Sequence, residues 1–534
     1  MSIVTSPERV ETYLKNKKEG KRLPFSCTLA VLNKKTKIAE LLQFLSKSLK
    51  GGAGAKVIIE SDFEFPPPVN ANYVLIAPKS ELAKKEEYDF DIGNKYVDVA
   101  PVDYKLVEVA DSMQDISESW GTFVDAIYSN TNICIDLRQL RPLNSVNKNG
   151  LVASGPVSFG YILDALALYL EKPSMFTLLR LFGVLNFIIL RGGYKKGIIT
   201  SAIYDTSPYY LEYLNVPLVS LRGSHKKGVI LTNKPSTQEM QLLCDKVNSE
   251  SLFLQKHQSA GLYANVCQGI FLRDRGTCLI YRLNLGQVTD LNSIIPAMAV
   301  ATQTAITTHV EWRLLHPELA SNWASVESDN QIAVDIMGMA NLLANYNVSY
   351  AEFDKALKEN STNDTANQIV STFKKAYQMS CLMADYMCDE VYRIPRFERL
   401  HTIEPAQSHS YRCKDVKGYT VSRGIWPPFS RRVNRVSNSH SEEVKTYDFG
   451  HCEVRIDPKL HFSVCNEFMG LIAKNGRPHA ISYDTWQNFD FEVFNEWYLS
   501  NLQTLYYNVF KDYEVDTYAR KRIEPITLCT SCAD

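Results

Sequence analysis

The sequence has no excess of charge of either sign. Its 534 residues include 58 lysines and arginines against 59 acidic residues, which gives a formal net charge of −1. Such an even balance provides no global attraction to nucleic acid or to an anionic membrane surface. We therefore expect no nucleic-acid partner and no membrane partner.

Long hydrophobic runs are also missing. The most apolar stretch, residues 175–190, contains Arg180 and is too short to cross a bilayer comfortably. Residues 1–20 are polar and charged and lack the apolar core of a secretory signal. These absences predict a buried helix at 175–190 and a cytoplasmic protein.

Paired cysteine clusters of the zinc-binding kind are absent as well. Among twelve cysteines there is one Cys-x-x-Cys, formed by Cys529 and Cys532, with no second pair near it. A structural zinc site would need that second pair. In a reducing compartment the remaining thiols are catalytic, metal-binding or simply buried. A dithiol on a terminal tail can enter a closed site, exchange with an internal disulfide and leave again.

The sequence does contain a thiol motif near its centre. Apolar residues flank Asn265 and Cys267, and a second thiol, Cys278, follows a turn at residues 274–276. This pattern predicts a strand that carries a thiol into an enclosed site. A pair of buried structural cysteines is the alternative interpretation.

The order of motifs along the chain resembles the large, catalytic subunit of ribonucleotide reductase. Asn-x-Cys, a second cysteine eleven positions on and then Asn284-Leu285 are similar to that family's active-site strand, and Cys27 matches its first redox cysteine. The matching series covers roughly residues 20 to 534. Its other members, in chain order, are Ser154-Gly155-Pro156, Arg191-Gly192-Gly193, a basic loop at 220–228, a hydroxyl-rich stretch at 404–411, Tyr506-Tyr507 and the terminal cysteine pair.

The resemblance implies roles for the five cysteines of the series. Replacing a ribose 2′-hydroxyl by hydrogen needs a hydrogen-atom abstractor on one face of the sugar and a two-electron dithiol donor on the other. The resemblance gives Cys267 the first role, as a thiyl radical, and Cys27 with Cys278 the second. Cys529 and Cys532 would regenerate this pair by exchange, with thioredoxin or glutaredoxin as the external reductant.

The remaining site residues also follow from the resemblance. Asn265 would hydrogen-bond the ribonucleotide, and stacked Tyr506 and Tyr507 would relay an electron and a proton to the active-site cysteine. The implied substrate-binding residues are Ser26, Ser154, Gly155, Gln407, Ser408, His409 and Ser410. The implied loop for a dNTP or ATP effector comprises Arg222, Gly223, Ser224, His225 and Lys226. For residues 407–410 the alternative interpretation is an ordinary hydroxyl-rich turn. For residues 222–226 the alternative is a solvated basic loop.

The resemblance implies an architecture too. The expected fold is α/β, a ten-stranded α/β barrel whose two five-stranded parallel halves meet antiparallel around a central finger loop that carries Cys267. We expect a short helical lead-in at 1–20, the catalytic barrel at 21–515 and a flexible redox tail at 516–534. A homodimer formed through helices near 160–190 would couple substrate and effector sites allosterically.

One position departs from the family pattern. The family motif is Asn-x-Cys-x-Glu, and its Glu acts as base toward the 3′-hydroxyl. In this chain that position is Gly269. Another carboxylate or a small-molecule acid then takes the role, or the chain is a catalytically altered homologue that binds nucleotides. Asn466-Glu467 beside Cys465 looks like a displaced motif, which we interpret as a decoy.

The tyrosine pair favours a radical supplied by a separate, metal-containing ferritin-like subunit, so no cofactor is expected in this chain. Cobalamin-dependent members share the eleven-residue cysteine spacing but carry an extra segment for which this chain has no room. We expect no N-terminal ATP-cone domain either. We predict a ribonucleoside-diphosphate reductase similar to compact bacteriophage and early-branching aerobic enzymes, working in the host cytoplasm if viral. Adenosylcobalamin is the alternative radical source.

Overall fold

The computed structural model describes residues 3–5, 23–88, 95–146, 153–191, 199–217, 226–250, 252–259, 261–405, 407–436, 444–484 and 488–506. The chain divides into two compact units, one made of residues 1–29 and 228–534 and the other of residues 30–227. Several predicted features lie outside the described residues: most of the lead-in, Arg222, Gly223, Ser224, His225, Tyr507, Cys529 and Cys532.

The strands and helices alternate along most of the chain. The strands are β1 (Val4–Thr5), β2 (Cys27–Leu32), β3 (Gly54–Ile59), β4 (Tyr73–Ile76), β5 (Lys105–Glu108), β6 (Ile133–Asp136), β7 (Ile199–Tyr204), β8 (Lys227–Leu231), β9 (Phe253–Lys256), β10 (Tyr263–Ala264), β11 (Phe271–Leu272), β12 (Ile280–Asn284), β13 (Gln331–Met337), β14 (Arg399–Ile403), β15 (Arg432–Val436), β16 (Val444–Asp448), β17 (Pro478–Tyr483) and β18 (Thr504–Leu505).

The α-helices are α1 (Ile38–Lys50), α2 (Lys79–Leu82), α3 (Met113–Tyr128), α4 (Pro156–Glu171), α5 (Met175–Arg191), α6 (Tyr210–Asn215), α7 (Thr237–Glu250), α8 (Ile294–Leu315), α9 (Pro317–Ala320), α10 (Met339–Asn345), α11 (Tyr350–Leu357), α12 (Asp364–Tyr386), α13 (Gln407–Arg412), α14 (Pro458–Asn475) and α15 (Phe491–Leu499). Short 3₁₀ helices span Lys85–Glu87, Leu285–Gln287 and Leu291–Ser293, and a π-helix spans Met387–Tyr392.

The first unit is built on a run of five parallel strands in the order β12, β13, β14, β17 and β18. β9 continues the sheet antiparallel to β18, and β8 pairs parallel with β9. Every residue of β13 is buried. Strands buried on both faces are typical of parallel sheets covered by helices, so polar side chains on these strands are enclosed.

The second unit contains a parallel β3–β7 pair, with β2 next to β3 in the strand order. A separate three-stranded parallel sheet has the order β4, β6, β5. The buried helix predicted at 175–190 corresponds to α5. Among the described residues, no helix has both the length and the apolar character needed to cross a membrane.

The predicted α/β class with a large mixed sheet is confirmed. The five parallel strands of the first unit match one predicted half, and the antiparallel β18–β9 pairing matches the predicted meeting of the halves. An isolated antiparallel bridge pairs Thr28 with Thr277. In the lead-in, where a helix was expected, Val4–Thr5 forms a short strand antiparallel to β12.

Candidate active site

Cys267 lies in the turn of a buried hairpin. β10 and β11 pair antiparallel, with Tyr263 opposite Leu272. The backbone N–H of Asn265 donates to the carbonyl of Ile270 at 2.7 Å, and the side-chain oxygen of Asn265 accepts from the backbone N–H of Ile270 at 3.2 Å. The sequence pattern predicts a continuous strand here. A turn forms because the Asn265 side chain binds backbone groups that a strand would use for pairing.

Three hydroxyl groups hold the tip of this hairpin. Thr402 on β14 donates to the carbonyl of Gly269 at 2.7 Å, and Thr504 on β18 donates to the carbonyl of Gln268 at 2.6 Å. Ser482 on β17 donates to the carbonyl of Cys267. Three neighbouring parallel strands therefore fix three consecutive carbonyls of the turn, and with them the backbone of Cys267.

Cys27 and Cys278, far apart in sequence, are adjacent in the structure. The backbone N–H of Cys278 donates to the carbonyl of Cys27 at 2.9 Å, and the N–H of Ser26 donates to the carbonyl of Cys278 at 3.1 Å. The Nδ2 atom of Asn265 lies 3.4 Å from the sulfur of each cysteine. Both thiols are buried, and neither belongs to a disulfide. The structure thus brings Ser26, Asn265 and the two predicted redox cysteines together, and Asn265 is two residues from Cys267.

The two thiols differ in their electrostatic environment. Burial, reinforced by the neighbouring Cys278, raises the pKa of Cys27 well above its usual range. Burial also disfavours the Cys278 thiolate, but hydrogen bonds with Cys27, Ser26 and Asn265 outweigh it and lower the pKa of Cys278. Of the two thiols, Cys278 therefore loses its proton more readily than Cys27.

A cluster of three buried charged side chains, Arg282, Asp335 and Glu404, adjoins the thiols. Arg282 on β12 and Asp335 on β13 are register partners, and their side chains meet at 2.7 Å between Nε and Oδ2. Glu404, directly after β14, lies with Oε2 3.4 Å from Nη2 of Arg282. Its other oxygen, Oε1, accepts from Nδ2 of Asn265 at 2.7 Å. One amide nitrogen thus contacts both thiols and the Glu404 carboxyl.

One arginine faces two carboxyl groups in this cluster. Burial, together with the negative charge of Cys278, raises the pKa of Glu404 well above its usual range, and Arg282 opposes this shift. Burial raises the pKa of Asp335 to about 6. Because Asp335 has the shorter contact with Arg282, Glu404 is the carboxyl that retains a proton more readily.

None of the three members of this cluster is predicted from the sequence motifs. Glu404 is the first residue of the hydroxyl-rich stretch, but the predicted substrate contacts were the residues that follow it. The available signal was the presence of a charged residue inside each of two apolar strands, namely Arg282 in β12 and Asp335 in β13. Nothing in the sequence indicates that the two strands are neighbours.

The remaining predicted substrate-binding residues, and Lys226 of the predicted effector loop, lie in different parts of the fold. Ser154 and Gly155 lie in the second unit, where Gly155 has φ +81° and precedes α4. His409 and Ser410 belong to the six-residue helix α13, as do Gln407 and Ser408. The backbone carbonyl of Lys226 accepts a hydrogen bond from the N–H of Ser201.

Tyr506 follows β18, and its ring stacks on Phe253 with centroids 5.2 Å apart. The decoy cysteine, Cys465, lies within α14, with its sulfur 3.9 Å from Nε2 of His461. In the described part of the chain, no group of three or more His, Cys, Asp or Glu side chains is arranged to hold a metal ion.

Comparison with known proteins gives matches at the level of structure. No family model and no curated protein matches the chain. A solved B-12-dependent, class II ribonucleotide reductase superimposes with a TM-score of 0.66 at 11% identity, over 91% of this chain and 79% of that one. The alpha subunit of the Actinobacillus ureae class Id ribonucleotide reductase matches with a TM-score of 0.45 at 13% identity, over 75% and 82% of the two chains. The chain therefore has the fold of a ribonucleotide reductase catalytic subunit.

Proposed function

We propose that this protein is a ribonucleotide reductase catalytic subunit, which converts a ribonucleotide to a 2′-deoxyribonucleotide by thiyl-radical chemistry. One observation carries the proposal. Asn265 lies on the same buried turn as Cys267. Its Nδ2 atom is 3.4 Å from the sulfurs of both Cys27 and Cys278. The reaction requires a dithiol and a third cysteine, and here the dithiol contacts the buried turn that carries the third one.

In this mechanism the Cys267 thiyl removes a hydrogen atom from the ribose and later returns one. Cys27 and Cys278 supply two electrons to the sugar, and the 2′-hydroxyl leaves as water. The dithiol becomes a disulfide, so one ribonucleotide and one dithiol yield one deoxyribonucleotide, one water and one disulfide. Cys27, whose pKa is raised, holds its proton more firmly than Cys278, and the thiol pair together supplies the two protons and two electrons that the reaction consumes. Cys529 and Cys532 would then reduce the disulfide by exchange.

The radical would come from a separate ferritin-like subunit through Tyr506 and Tyr507. The burial of Tyr506 and its stacking on Phe253 fit a relay position at the end of β18. Adenosylcobalamin is the alternative source, since the class II enzyme of similar fold depends on B-12. Homodimer formation, dNTP or ATP control through residues 222–226, substrate contacts at residues 407–410 and a cytoplasmic location belong to the same proposal.

The test is deoxyribonucleotide formation by the purified chain. Ribonucleoside di- and triphosphates are incubated with a dithiol reductant, with a ferritin-like subunit or with adenosylcobalamin, and the products are separated by chromatography. We expect product under one of the two radical conditions. Cys267→Ser should abolish it, since a hydroxyl does not replace the thiol as a hydrogen-atom abstractor.

The matched control is Cys465→Ser, which removes another buried thiol of the same unit. This variant should keep wild-type turnover. If Cys267→Ser retained turnover, the assignment of the thiyl would be wrong. If the wild type bound ribonucleotides tightly but formed no product under either condition, the chain would be a nucleotide-binding homologue.

A further inference from the structure

The hairpin turn lacks, at Gly269, the carboxylate that the family motif has at this position. The family resemblance requires a carboxylate two residues after Cys267, and glycine cannot accept a proton. The structure gives a steric reason for the glycine. A Cβ atom built on Gly269 would overlap Cγ of Glu404, and it would lie 3.1 Å from Oε1 of Glu404 and 3.0 Å from Oγ1 of Thr402. The Glu404 side chain therefore occupies the space that a side chain at position 269 would enter.

The backbone conformation at position 269 does not require a glycine. Gly269 is not among the residues with positive φ, so its conformation is open to any L-amino acid. Space is then the determining factor. Glycine at position 269 and glutamate at position 404 form a matched pair, in which the small residue of the turn accommodates the carboxyl from the end of β14.

We propose that Glu404 is the catalytic carboxylate of this enzyme and replaces the glutamate that the Asn-x-Cys-x-Glu motif lacks at Gly269. This inference rests on the proposed function and names a further residue for the same site. In the reaction the Glu404 carboxylate accepts the proton of the ribose 3′-hydroxyl while Cys267 removes the ribose hydrogen atom. The proton returns to the 3′-oxygen when the hydrogen atom is returned, so the carboxylate is regenerated in each turnover.

The contacts of Glu404 support this role. Oε1 accepts from Asn265 at 2.7 Å, and Asn265 also contacts both redox thiols. The carboxyl therefore stands next to the atoms that a bound ribose must face. A carboxyl that served only the fold would be expected to have a cation of its own, whereas Glu404 shares Arg282 with Asp335.

Arg282 and Asp335 act as positioning residues in this scheme. Arg282 favours the ionised form of Glu404 from one side, and Asp335 limits that effect because it makes the shorter contact with the same guanidinium. This arrangement leaves Glu404 able to gain and lose a proton during turnover.

The first experiment compares Glu404→Gln with the wild type under the radical condition that supports turnover. Gln preserves the shape but not the basicity, and kcat should fall by about 100- to 10,000-fold, the usual contribution of a positioned acid–base group. Ribonucleotide affinity, measured by equilibrium dialysis, should stay within a few-fold. The control is Asp354→Asn, which neutralises another buried carboxyl of the same unit and should leave kcat unchanged.

The second experiment moves the carboxyl back to the turn. Gly269→Glu alone should be inactive, because the new side chain collides with Glu404. The double change Gly269→Glu with Glu404→Gly removes the collision and should restore at least tenfold more turnover than Glu404→Gly alone. Rescue of this kind is not expected if Glu404 serves only to support the fold.

The outcomes separate the two proposals. An active wild type whose Glu404→Gln variant keeps its full kcat would overturn the role of Glu404 and leave the proposed function standing. A wild type that neither binds nor reduces ribonucleotides would overturn the proposed function and this inference with it. Loss of kcat with retained binding, together with rescue by the double change, supports both.

Discussion

Two buried arginines of the first unit show how similar charge clusters serve different purposes. Arg313 on α8 meets one carboxylate, Asp329, at 2.6 Å, and its other N–H groups donate to backbone carbonyls of Ala324 and His309. Asp329 also accepts from the backbone and the hydroxyl of Thr277. Here one cation balances one anion, and Oδ2 of Asp329 accepts hydrogen bonds from both Arg313 and Thr277.

The Arg282 cluster lacks this balance. Asp335 and Glu404 share one guanidinium, so a fully ionised cluster would carry an uncompensated negative charge next to Cys278. Removing charges from water is costly unless they are paired, so one carboxyl tends to hold a proton. The two clusters therefore differ in their ratio of cations to anions: Asp329 has Arg313, whereas Glu404 shares Arg282 with Asp335. The Arg313 cluster instead fixes Thr277, the residue before Cys278.

The largest effect on stability should follow from breaking the balanced cluster. Arg313→Met leaves Asp329 buried without its cation, and we expect the free energy of unfolding to fall by about 3–5 kcal/mol. Urea denaturation at pH 7 measures this change. The control is Arg432→Met, which removes an arginine that pairs with Asp448 at an exposed site and should cost less than about 1 kcal/mol. Equal losses for the two variants would mean that burial adds nothing to the Arg313 pair.

A second effect concerns the pH dependence of turnover. The groups that face Glu404 are Arg282, Asp335, Asn265 and Cys278, and the raised pKa of Glu404 predicts that kcat/KM rises with pH above the ordinary range of glutamate. The rise reflects ionisation of the carboxylate that accepts the proton.

Arg282→Met should move this acid limb to higher pH by about 1–3 units, the usual influence of a neighbouring opposite charge. The measurement is kcat/KM over a range from mildly acidic to mildly alkaline pH in both proteins. An acid limb that did not move in Arg282→Met would mean that it belongs to a group other than Glu404.

The smallest effect should be that of Glu404→Gln on stability. At pH 7 we expect a change of no more than about 1 kcal/mol, because loss of the contact with Arg282 is offset by removal of a buried charge. The way this stability difference changes with pH is more informative than its size at pH 7. A carboxyl whose folded-state pKa lies above its ordinary value of 4.5 contributes stability at low pH that is lost as the pH rises toward the folded-state pKa.

Glu404→Gln removes this loss, so its stability relative to the wild type should improve as the pH rises above about 4.5. Thermal denaturation of both proteins from acidic to neutral pH measures the trend. A difference that stayed constant over this range would show that Glu404 has a similar pKa in the folded and unfolded states.

The sequence determined much of the fold and part of the site. The order of its motifs predicted an α/β chain with a large mixed sheet, and the structure has five parallel strands meeting an antiparallel neighbour. It also identified Asn265, Cys27 and Cys278, which lie together in the structure. The fold class could be predicted because the order of motifs resembles that of a known family, whereas the roles of the three site residues remain predictions.

Tertiary structure alone decided the charge cluster and the relation between Gly269 and Glu404. Position 404 is 135 residues from position 269, and no periodicity links them. They meet because β14 ends where the hairpin turn is held by Thr402, and because parallel pairing places Arg282 opposite Asp335. Long-range register depends on the packing of whole strands, which a local pattern does not encode. A glycine that looks like a missing base in the sequence is, in the fold, the space that another residue's carboxyl fills.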